Sequence, residues 1–302
     1  MTKTTKLNSP VKHTKEVHSP IRWFGGKHFL AKDIIPLMPK HHCYVEPFGG
    51  GGHVLTQKEV SKVEVWNDID SSLINFLMTL RGRKEELTQA LETLPTSRFL
   101  TELWLKEPMP EDSFEKAVRW YYILRQTIVP TNNQKSGWRA GKIKNTAFDF
   151  QNSVQRLNDF EKRIRRVMIE CLDFRELIRK YDSPETLFFI DPPYVGREGF
   201  YKGGFTATEH RELAELLRNI KGKALVSYYP DPLVNELYKG WRTSEVDTLV
   251  GTGVRKAEKG QRKKLETEVF FMNYDENHEK IQFMDEVDLS FVGNGAKQLS
   301  LF

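Results

Sequence analysis

The tetrapeptide Asp191-Pro192-Pro193-Tyr194 carries residue types that could activate a weakly nucleophilic amine. It directly follows the apolar run Leu187 to Ile190, which predicts a buried strand, and open α/β sheets bind ligands where their strands end. The lone pair of an amine such as adenine N6 is delocalised into the ring, so its attack on a methyl group needs hydrogen-bond acceptors. The Asp191 carboxylate and the Pro192 carbonyl could accept those hydrogens and stabilise the developing positive charge, while the Tyr194 ring offers a base a stacking surface.

A base that reacts at this turn would have to leave its duplex, because an amine inside stacked DNA is not accessible to a bulky sulfonium donor. The same four residues also permit a purely structural interpretation, in which the prolines make a rigid turn and Asp191 caps a helix. The chemical interpretation gains support from two further segments that could bind such a donor.

The first of these segments is a run of four glycines, Gly49 to Gly52, which follows an apolar segment and the tripeptide Glu46-Pro47-Phe48. Glycines let the main chain come close to a ligand and adopt positive φ. Asp68 ends the next predicted strand, about where an acidic residue accepts ribose hydroxyls in a dinucleotide-binding fold; the alternative is that Asp68 or Asp70 caps a helix. The glycines are not followed by Lys-Ser or Lys-Thr, so a nucleoside cofactor is favoured over a phosphate-cradling loop.

The second segment is Arg22 to Lys27, near the amino terminus. Trp23 could lie against the cofactor, Lys27 could meet a carboxylate of the cofactor, and the glycine pair between them would allow close approach. Alone, this hexapeptide would be an ordinary loop before a helix.

Strand-like and helix-like segments alternate along the chain, which predicts a parallel sheet with helices on both faces. Helix starts are expected at Asp70, at the capping box of Thr206 and Glu209, and at Asp231. The strands are predicted at 42–46, 62–66, 167–171, 186–190, 223–227 and 265–274. We divide the chain into a tail (1–19), a catalytic domain (20–80 and 161–275), an inserted, mainly helical lobe (81–160) and a second tail (276–302).

Composition and charge give only general expectations about membrane association, metal binding and contact with nucleic acid. The 302 residues carry a net charge of +5, and no apolar run approaches the length of a bilayer span, so a cytoplasmic protein is expected. Cys43 and Cys171 have no metal-binding spacing and are expected to be buried thiols. Basic residues cluster at 131–148 and 255–264; each cluster is either a solvated loop or a phosphate contact.

Taken together, these motifs resemble the Dam-type (D12 class) family of N6-adenine-specific DNA methyltransferases. The resemblance extends from Ile21 to Tyr274 and rests on Arg22 to Lys27, Val45 to Gly52, Asn67-Asp68-Ile69, Asp191 to Tyr194, Phe205 with His210 and Leu213, Leu225-Val226-Ser227, and Lys263-Lys264 to Asn273.

The resemblance implies a Rossmann-like S-adenosyl-L-methionine-dependent fold that acts on double-stranded DNA near the nucleoid. It also implies that the inserted lobe recognises the target sequence. The cofactor contacts that it implies are Trp23, Lys27, Asp68 and Asp191, with Phe48 and Gly50 shaping the pocket.

Within the inserted lobe, the residues expected to contact DNA are Arg125, Lys135, Trp138 and Arg139. Arginine can bind guanine edges bidentately, whereas lysine more often neutralises phosphate. The segment Ile128 to Lys144 departs from the recognition hairpin of GATC-reading members, so the target sequence stays open.

The last five residues, Gln298-Leu299-Ser300-Leu301-Phe302, resemble the short peptide by which bacterial proteins dock on the replication sliding clamp. Leu301 and Phe302 would be the apolar anchors of a polar tail; alternatively the tail folds back onto its own domain.

Other functions remain compatible with the sequence. N4-cytosine or RNA methylation needs the same amine activation, and a non-catalytic DNA-binding or clamp-associated factor could retain the fold. A restriction-modification partner and a solitary methyltransferase are equally compatible with one chain.

Overall fold

The computed structural model describes residues 17–129, 136–201, 203–249 and 265–281. The described strands form one seven-stranded sheet. They are β1 Cys43–Glu46, β2 Val63–Asn67, β3 Met168–Glu170, β4 Thr186–Ile190, β5 Lys223–Tyr228, β6 Arg242–Leu249 and β7 Leu265–Met272.

The sheet has the order β3-β2-β1-β4-β5-β7-β6. Strands β1 to β5 are parallel, so the predicted α/β fold with a parallel sheet is confirmed for this part. The last predicted strand differs: β7 runs antiparallel to β5, and β6 pairs antiparallel with β7. Strand β6 was not predicted, because this edge strand is mostly polar and alternates between half-buried and exposed residues.

Eleven α-helices and two 3₁₀ turns (Ile35–Leu37 and Glu198–Phe200) lie in the described residues. The helices are α1 Ala31–Ile34, α2 His53–Gln57, α3 Ser71–Gly82, α4 Lys84–Glu92, α5 Arg98–Lys106, α6 Ser113–Gln126, α7 Thr146–Gln155, α8 Leu157–Ile164, α9 Phe174–Tyr181, α10 Ala207–Asn219 and α11 Pro232–Leu237.

Each of the three predicted helix starts is confirmed by a side-chain cap. The Asp70 carboxylate accepts the Ser72 amide at the start of α3, and Asp231 accepts the Leu233 amide at the start of α11. Thr206 and Glu209 form the reciprocal capping box of α10.

Two hydrophobic cores cover the two faces of the sheet. Successive strand residues point to opposite faces, so Tyr44 lies in the first core and Val45 in the second. The first core also contains buried side chains of α3, α4, α6, α7 and α8. The helices of residues 81–160 therefore share a core with the sheet, while α9, α10 and α11 pack on the other face.

The two cysteines depart from the expected burial. Cys43 is half-buried in β1, and Cys171 is exposed just after the three-residue edge strand β3, where no further strand covers it. In the part of the chain that is described, no helix has both the length and the apolar composition needed to cross a membrane.

Candidate active site

The candidate site lies where the parallel strands end. β1 lies between β2 and β4 in the sheet, so the loops that follow these three strands are neighbours in space although they are far apart in sequence. The buried Asn67 side chain, at the end of β2, bonds the loop after β1 to the loop after β3: it donates to the Pro47 carbonyl (2.8 Å) and to the Leu172 carbonyl (3.0 Å) and accepts from the Leu172 amide (2.8 Å).

Gly50 shows why the loop after β1 needs glycine. Its φ is +47°, and its amide donates to Oδ2 of Asp68 at 2.9 Å. A Cβ at this position would lie 2.5 Å from Nε1 of Trp23. The glycine therefore lets Trp23 and the Asp68 carboxylate approach the same stretch of main chain.

A cavity of about 160 Å³ opens at these strand ends, and we call it the larger cavity. Aromatic rings form much of its wall, with the centroids of Phe48, Phe174 and Phe205 5.5–5.7 Å apart. Its other apolar residues include Trp23 and Ile69, and its carboxylates include Asp68, Asp173 and Asp191. Apolar rings beside a few carboxylates suit a purine nucleoside, which has flat apolar faces and polar hydroxyls.

A second cavity, the smaller cavity, adjoins this one and shares Asp191 with it. Lys27, Glu46, Gly50 and His53 are among its lining residues. Asp191 therefore stands between two spaces, an arrangement suited to two reacting groups.

The Asp191 carboxylate is held through one oxygen. Oδ1 accepts from Nζ of Lys27 at 2.7 Å and from the Tyr194 hydroxyl at 3.1 Å, whereas no described residue donates to Oδ2. Burial raises the pKa of Asp191; Lys27 opposes this and the negative charge of Glu268 adds to it, so the net shift is upward. The carboxylate is thus a more basic acceptor than an exposed aspartate.

Lys27 stays protonated although it is buried. Burial alone lowers its pKa, but attraction to Asp191 and to Glu268, 3.4 Å away, outweighs burial and raises it. Nζ also donates to the Gly25 carbonyl at 3.0 Å. An ammonium held in this way orients the carboxylate and fixes the Arg22 to Lys27 loop over the strand ends.

Comparison with known proteins identifies the family of this chain. Residues 23–252 match the family model described as D12 class N6 adenine-specific DNA methyltransferase. The chain belongs to this family. A DNA adenine methylase of Salmonella typhi is 25% identical over 237 residues, covering 72% of this chain and 83% of the relative. Type II methyltransferases of Lactococcus lactis subsp. cremoris (24%, covering 84% and 94%) and Methanocaldococcus jannaschii (26%, covering 86% and 100%) are also similar.

The structure of this D12-family protein brings the predicted cofactor residues together. Trp23, Phe48, Asp68 and Asp191 line the larger cavity. Lys27 and Gly50 line the smaller one. The structure also distinguishes the carboxylates that cap helices from those that do not. Asp70 caps α3, whereas Asp191 caps no described helix. Asp68 accepts hydrogen bonds from the Gly50 and Asp70 amides.

Two predicted contacts are made differently in the structure. The Tyr194 ring is buried against Tyr228, Tyr229 and Nζ of Lys27, so it is not presented as a stacking surface. Lys27 pairs with protein carboxylates instead of standing free for a carboxylate of the cofactor. In both cases the interior of the fold supplies a partner that sequence spacing could not reveal.

The residues predicted to contact DNA fall into three groups. Arg125 is buried, donates to the Pro20 and Asp149 carbonyls and pairs with the Asp149 carboxylate; this is a packing role, contrary to the prediction. Arg139 and Trp138 are half-buried, Arg139 paired with Asp149 and Trp138 packed under the Arg98 guanidinium. Lys135 lies outside the described residues.

The segment around Trp138 pairs as the base of a hairpin. Thr127 and Trp138 form an antiparallel bridge, the Ile128 amide donates to the Gly137 carbonyl (3.0 Å), and the Arg139 amide donates to the Gln126 carbonyl (2.7 Å). Arg22 anchors this base, because its guanidinium donates to the carbonyls of Thr127 (2.7 Å) and Ile128 (3.0 Å). The loop that carries Trp23 is thus bonded to the hairpin.

Glu268, on β7, is the buried site residue that sequence reasoning missed. It shares a face of β7 with Phe270 and Met272, both fully buried, so a charged residue in register with core residues was the available signal. Asp173 and Phe174, at the start of α9, were also missed as cavity residues.

Glu46 generates a pH-dependent prediction. It is 2% exposed, Oε1 accepts from the Tyr44 hydroxyl at 2.7 Å, and burial raises its pKa from 4.5 to about 8. The folded protein therefore keeps a proton that the unfolded chain releases near pH 4.5. The contribution of this group to stability is complete below that pH and is lost as the pH rises to about 8.

We expect Glu46→Gln to remove this pH dependence while keeping the Tyr44 hydrogen bond. The unchanged protein should lose stability between about pH 4.5 and pH 8, and the variant should not. The difference in unfolding free energy, variant minus unchanged protein, should therefore increase over this range, by up to about 1.4 kcal/mol for each unit by which folding raises the pKa of Glu46. Chemical denaturation across this pH range measures it, with Glu59→Gln, at an exposed glutamate nearby, as the control. A difference that does not change with pH would contradict the prediction.

Proposed function

We propose that this site-specific N6-adenine DNA methyltransferase takes its methyl group from S-adenosyl-L-methionine bound in the larger cavity. We propose further that it acts on an adenine flipped out of duplex DNA. The observation that carries the proposal is the Asp191 carboxylate, which stands between the two cavities with Oδ1 fully occupied and Oδ2 without a donor among the described residues.

The lining of the larger cavity fits the nucleoside part of this cofactor. The Phe48, Phe174 and Phe205 rings with Ile69 provide apolar contact for the purine, and the Asp68 carboxylate is placed to accept ribose hydroxyls. When bound, S-adenosyl-L-methionine supplies an electrophilic methyl group on a positively charged sulfur.

Asp191 and Pro192 perform the protein's part of the chemistry, and the Pro192 carbonyl accepts one of the two N6 hydrogens. Oδ2 accepts one N6 hydrogen and draws electron density onto nitrogen, and the carboxylate stabilises the positive charge that N6 gains. The acceptor needs no reorganisation during the reaction, because Lys27 and Tyr194 already fix the other oxygen.

DNA contact is proposed for the helical segment 81–160 and the base of its hairpin, with the catalytic domain formed by 20–80 and 161–275. Trp138 and Arg139 lie at that base, and Lys142 and Lys144 follow as exposed cations. Exposed lysines of this kind neutralise phosphates and position the duplex without reading its sequence.

Clamp docking is a separate proposal that rests on the sequence of Gln298, Leu299, Leu301 and Phe302 alone, since these residues lie outside the described part of the chain. Two apolar anchors at a chain end are suited to a preformed hydrophobic groove.

We expect Asp191→Asn to lower methyl transfer by roughly 100-fold or more, because the amide that replaces Oδ2 either donates towards N6 or leaves it without a charged acceptor. The measurement is transfer of labelled methyl groups from S-adenosyl-L-methionine to duplex DNA, followed by methylation-aware sequencing. Cofactor affinity, measured by calorimetry, should stay within a few-fold. Asp159→Asn, an exposed carboxylate on α8, is the control.

Two results would count against the proposed function: labelled product at a base other than adenine, or no calorimetric binding of S-adenosyl-L-methionine by the unchanged protein.

We expect Lys142→Ala and Lys144→Ala each to reduce the salt dependence of DNA binding, lowering the slope of log K against log salt by about 1. The loss should be similar for specific and unrelated duplexes, since phosphate contacts carry no sequence information. Fluorescence anisotropy over a salt series measures it. Lys180→Ala, an exposed lysine on α9, should leave the slope unchanged; a slope unaffected by both test substitutions would exclude these lysines from the interface.

We expect removal of residues 298–302 to abolish capture of the protein by an immobilised bacterial sliding clamp, because both apolar anchors are lost. Methyl transfer to short duplexes should not change. A chain with the same five residues in scrambled order keeps the composition and serves as the control. Undiminished capture of the truncated chain would remove the docking proposal.

A further inference from the structure

A second carboxylate, that of Glu268, lies behind the catalytic one. It projects from β7, its side chain is 1% exposed, and it lines neither of the two cavities. Oε1 accepts from Oγ of Ser227 at 2.5 Å and lies 3.4 Å from Nζ of Lys27. The Tyr194 hydroxyl lies within hydrogen-bond distance of Oε1 and of Oδ1 of Asp191, and its single proton serves one of these two acceptors at a time. Glu268 is thus too deep to touch a substrate, yet it contacts groups that touch Asp191.

Both donors to Asp191 are also bound to Glu268. Nζ of Lys27 donates to Oδ1 of Asp191 and lies against Glu268, and the Tyr194 hydroxyl contacts both carboxylates. Without Glu268, Lys27 would lose its second carboxylate, and the Tyr194 proton would no longer be shared between two carboxylates. Misplacing a reacting group by about 1 Å can lower the rate by roughly 100-fold.

The charge balance of the site depends on Glu268 as well. Lys27 alone would cancel the charge of Asp191; with Glu268 the three groups carry a net charge of about −1. During transfer the N6 lone pair forms the new C–N bond while the S–C bond breaks and its electron pair returns to sulfur. The positive charge moves from sulfur to N6, and one N6 proton then passes to Oδ2 of Asp191. A site with residual negative charge stabilises that cation throughout.

We propose that Glu268 is a positioning residue for methyl transfer: its buried carboxylate orients Lys27 against Oδ1 of Asp191 and shares the Tyr194 proton with that oxygen, leaving Oδ2 to accept the N6 hydrogen. The inference rests on the proposed function of Asp191. The proposal adds to the reaction a residue of β7, the strand that runs antiparallel to β5.

Electrostatics give the proposal a specific signature. The negative charge of Glu268 is one of the factors that raise the pKa of Asp191, so replacing it with a neutral amide lowers that pKa. Asp191 then stays ionised to lower pH, and the acidic limb of the rate profile moves to lower pH. Among the residues that the structure describes, the other titratable groups that interact with Asp191 are Lys27, Tyr194, Glu46, Tyr201 and Tyr228, all unchanged in the variant.

The experiment compares Glu268→Gln, Glu268→Asp and the unchanged protein. It measures single-turnover methyl transfer from saturating S-adenosyl-L-methionine to adenine in a duplex, between about pH 5 and pH 9. We expect the rate of the Gln variant to fall by up to roughly 100-fold and its acidic limb to move to lower pH. The Asp variant keeps the charge, so its rate should be intermediate and its acidic limb unshifted. Calorimetric affinity for S-adenosyl-L-methionine should stay within a few-fold.

Glu266→Gln is the matched control. Glu266 lies two residues earlier on the same face of β7 and pairs with Arg197 at 3.0 Å, so this change should alter neither the rate nor the pH profile.

Several outcomes would overturn the inference. A Gln variant with the unchanged protein's rate, or with an unshifted acidic limb, would do so. A rate that falls only in parallel with cofactor affinity and melting temperature would show a purely structural role. If the Gln variant does not fold, the Asp variant decides: a reduced rate with unchanged cofactor affinity supports positioning, and a full rate refutes it. Absence of adenine methylation by the unchanged protein would instead refute the proposed function.

Discussion

The ion pair between the buried Lys27 and the half-buried Asp191 joins parts of the chain that are 164 residues apart. A buried ammonium without a partner is strongly unfavourable, so this pair favours the contact between the loop after β4 and the amino-terminal loop. This requirement places Trp23 against Gly50 and lays the Arg22 to Lys27 loop over the strand ends. The same pair therefore closes one side of the site and orients the carboxylate that is proposed to act on the base.

The order of the strands explains why the chemistry collects at one place. β1 has β2 on one side and β4 on the other, so the glycine loop, Asp68 and Asp191 lie on adjacent strand ends. Asn67, at the end of β2, bonds the loop after β1 to the loop after β3. Sheet register therefore places the glycine loop, Asp68 and Asp191 beside one cavity.

The parts proposed to face DNA and the cofactor are connected through hydrogen bonds to main-chain carbonyls. Arg22 binds the carbonyls at the base of the hairpin, and its neighbour Trp23 lines the larger cavity. Burial, with the nearby Arg139 and Arg125, lowers the pKa of Arg22 to about 10, yet it remains a cation at neutral pH. Because carbonyls are present whatever the side chain, this anchor constrains the position of the hairpin while leaving its side chains free to differ.

Local features of the site were readable in the sequence. The strands before Asp191 and before the glycine run depend on a few neighbouring residues, and so do the helix caps. The structure has these features where they were predicted, with caps at Asp70, Thr206 and Asp231. What only the tertiary structure decided depends on pairings between distant segments. β7 turned antiparallel, Arg125 was buried against Pro20 and Asp149, and Tyr194 turned inward to Glu268. Periodicity shows that a side chain faces a core, but only long-range packing determines which charged partner it meets there.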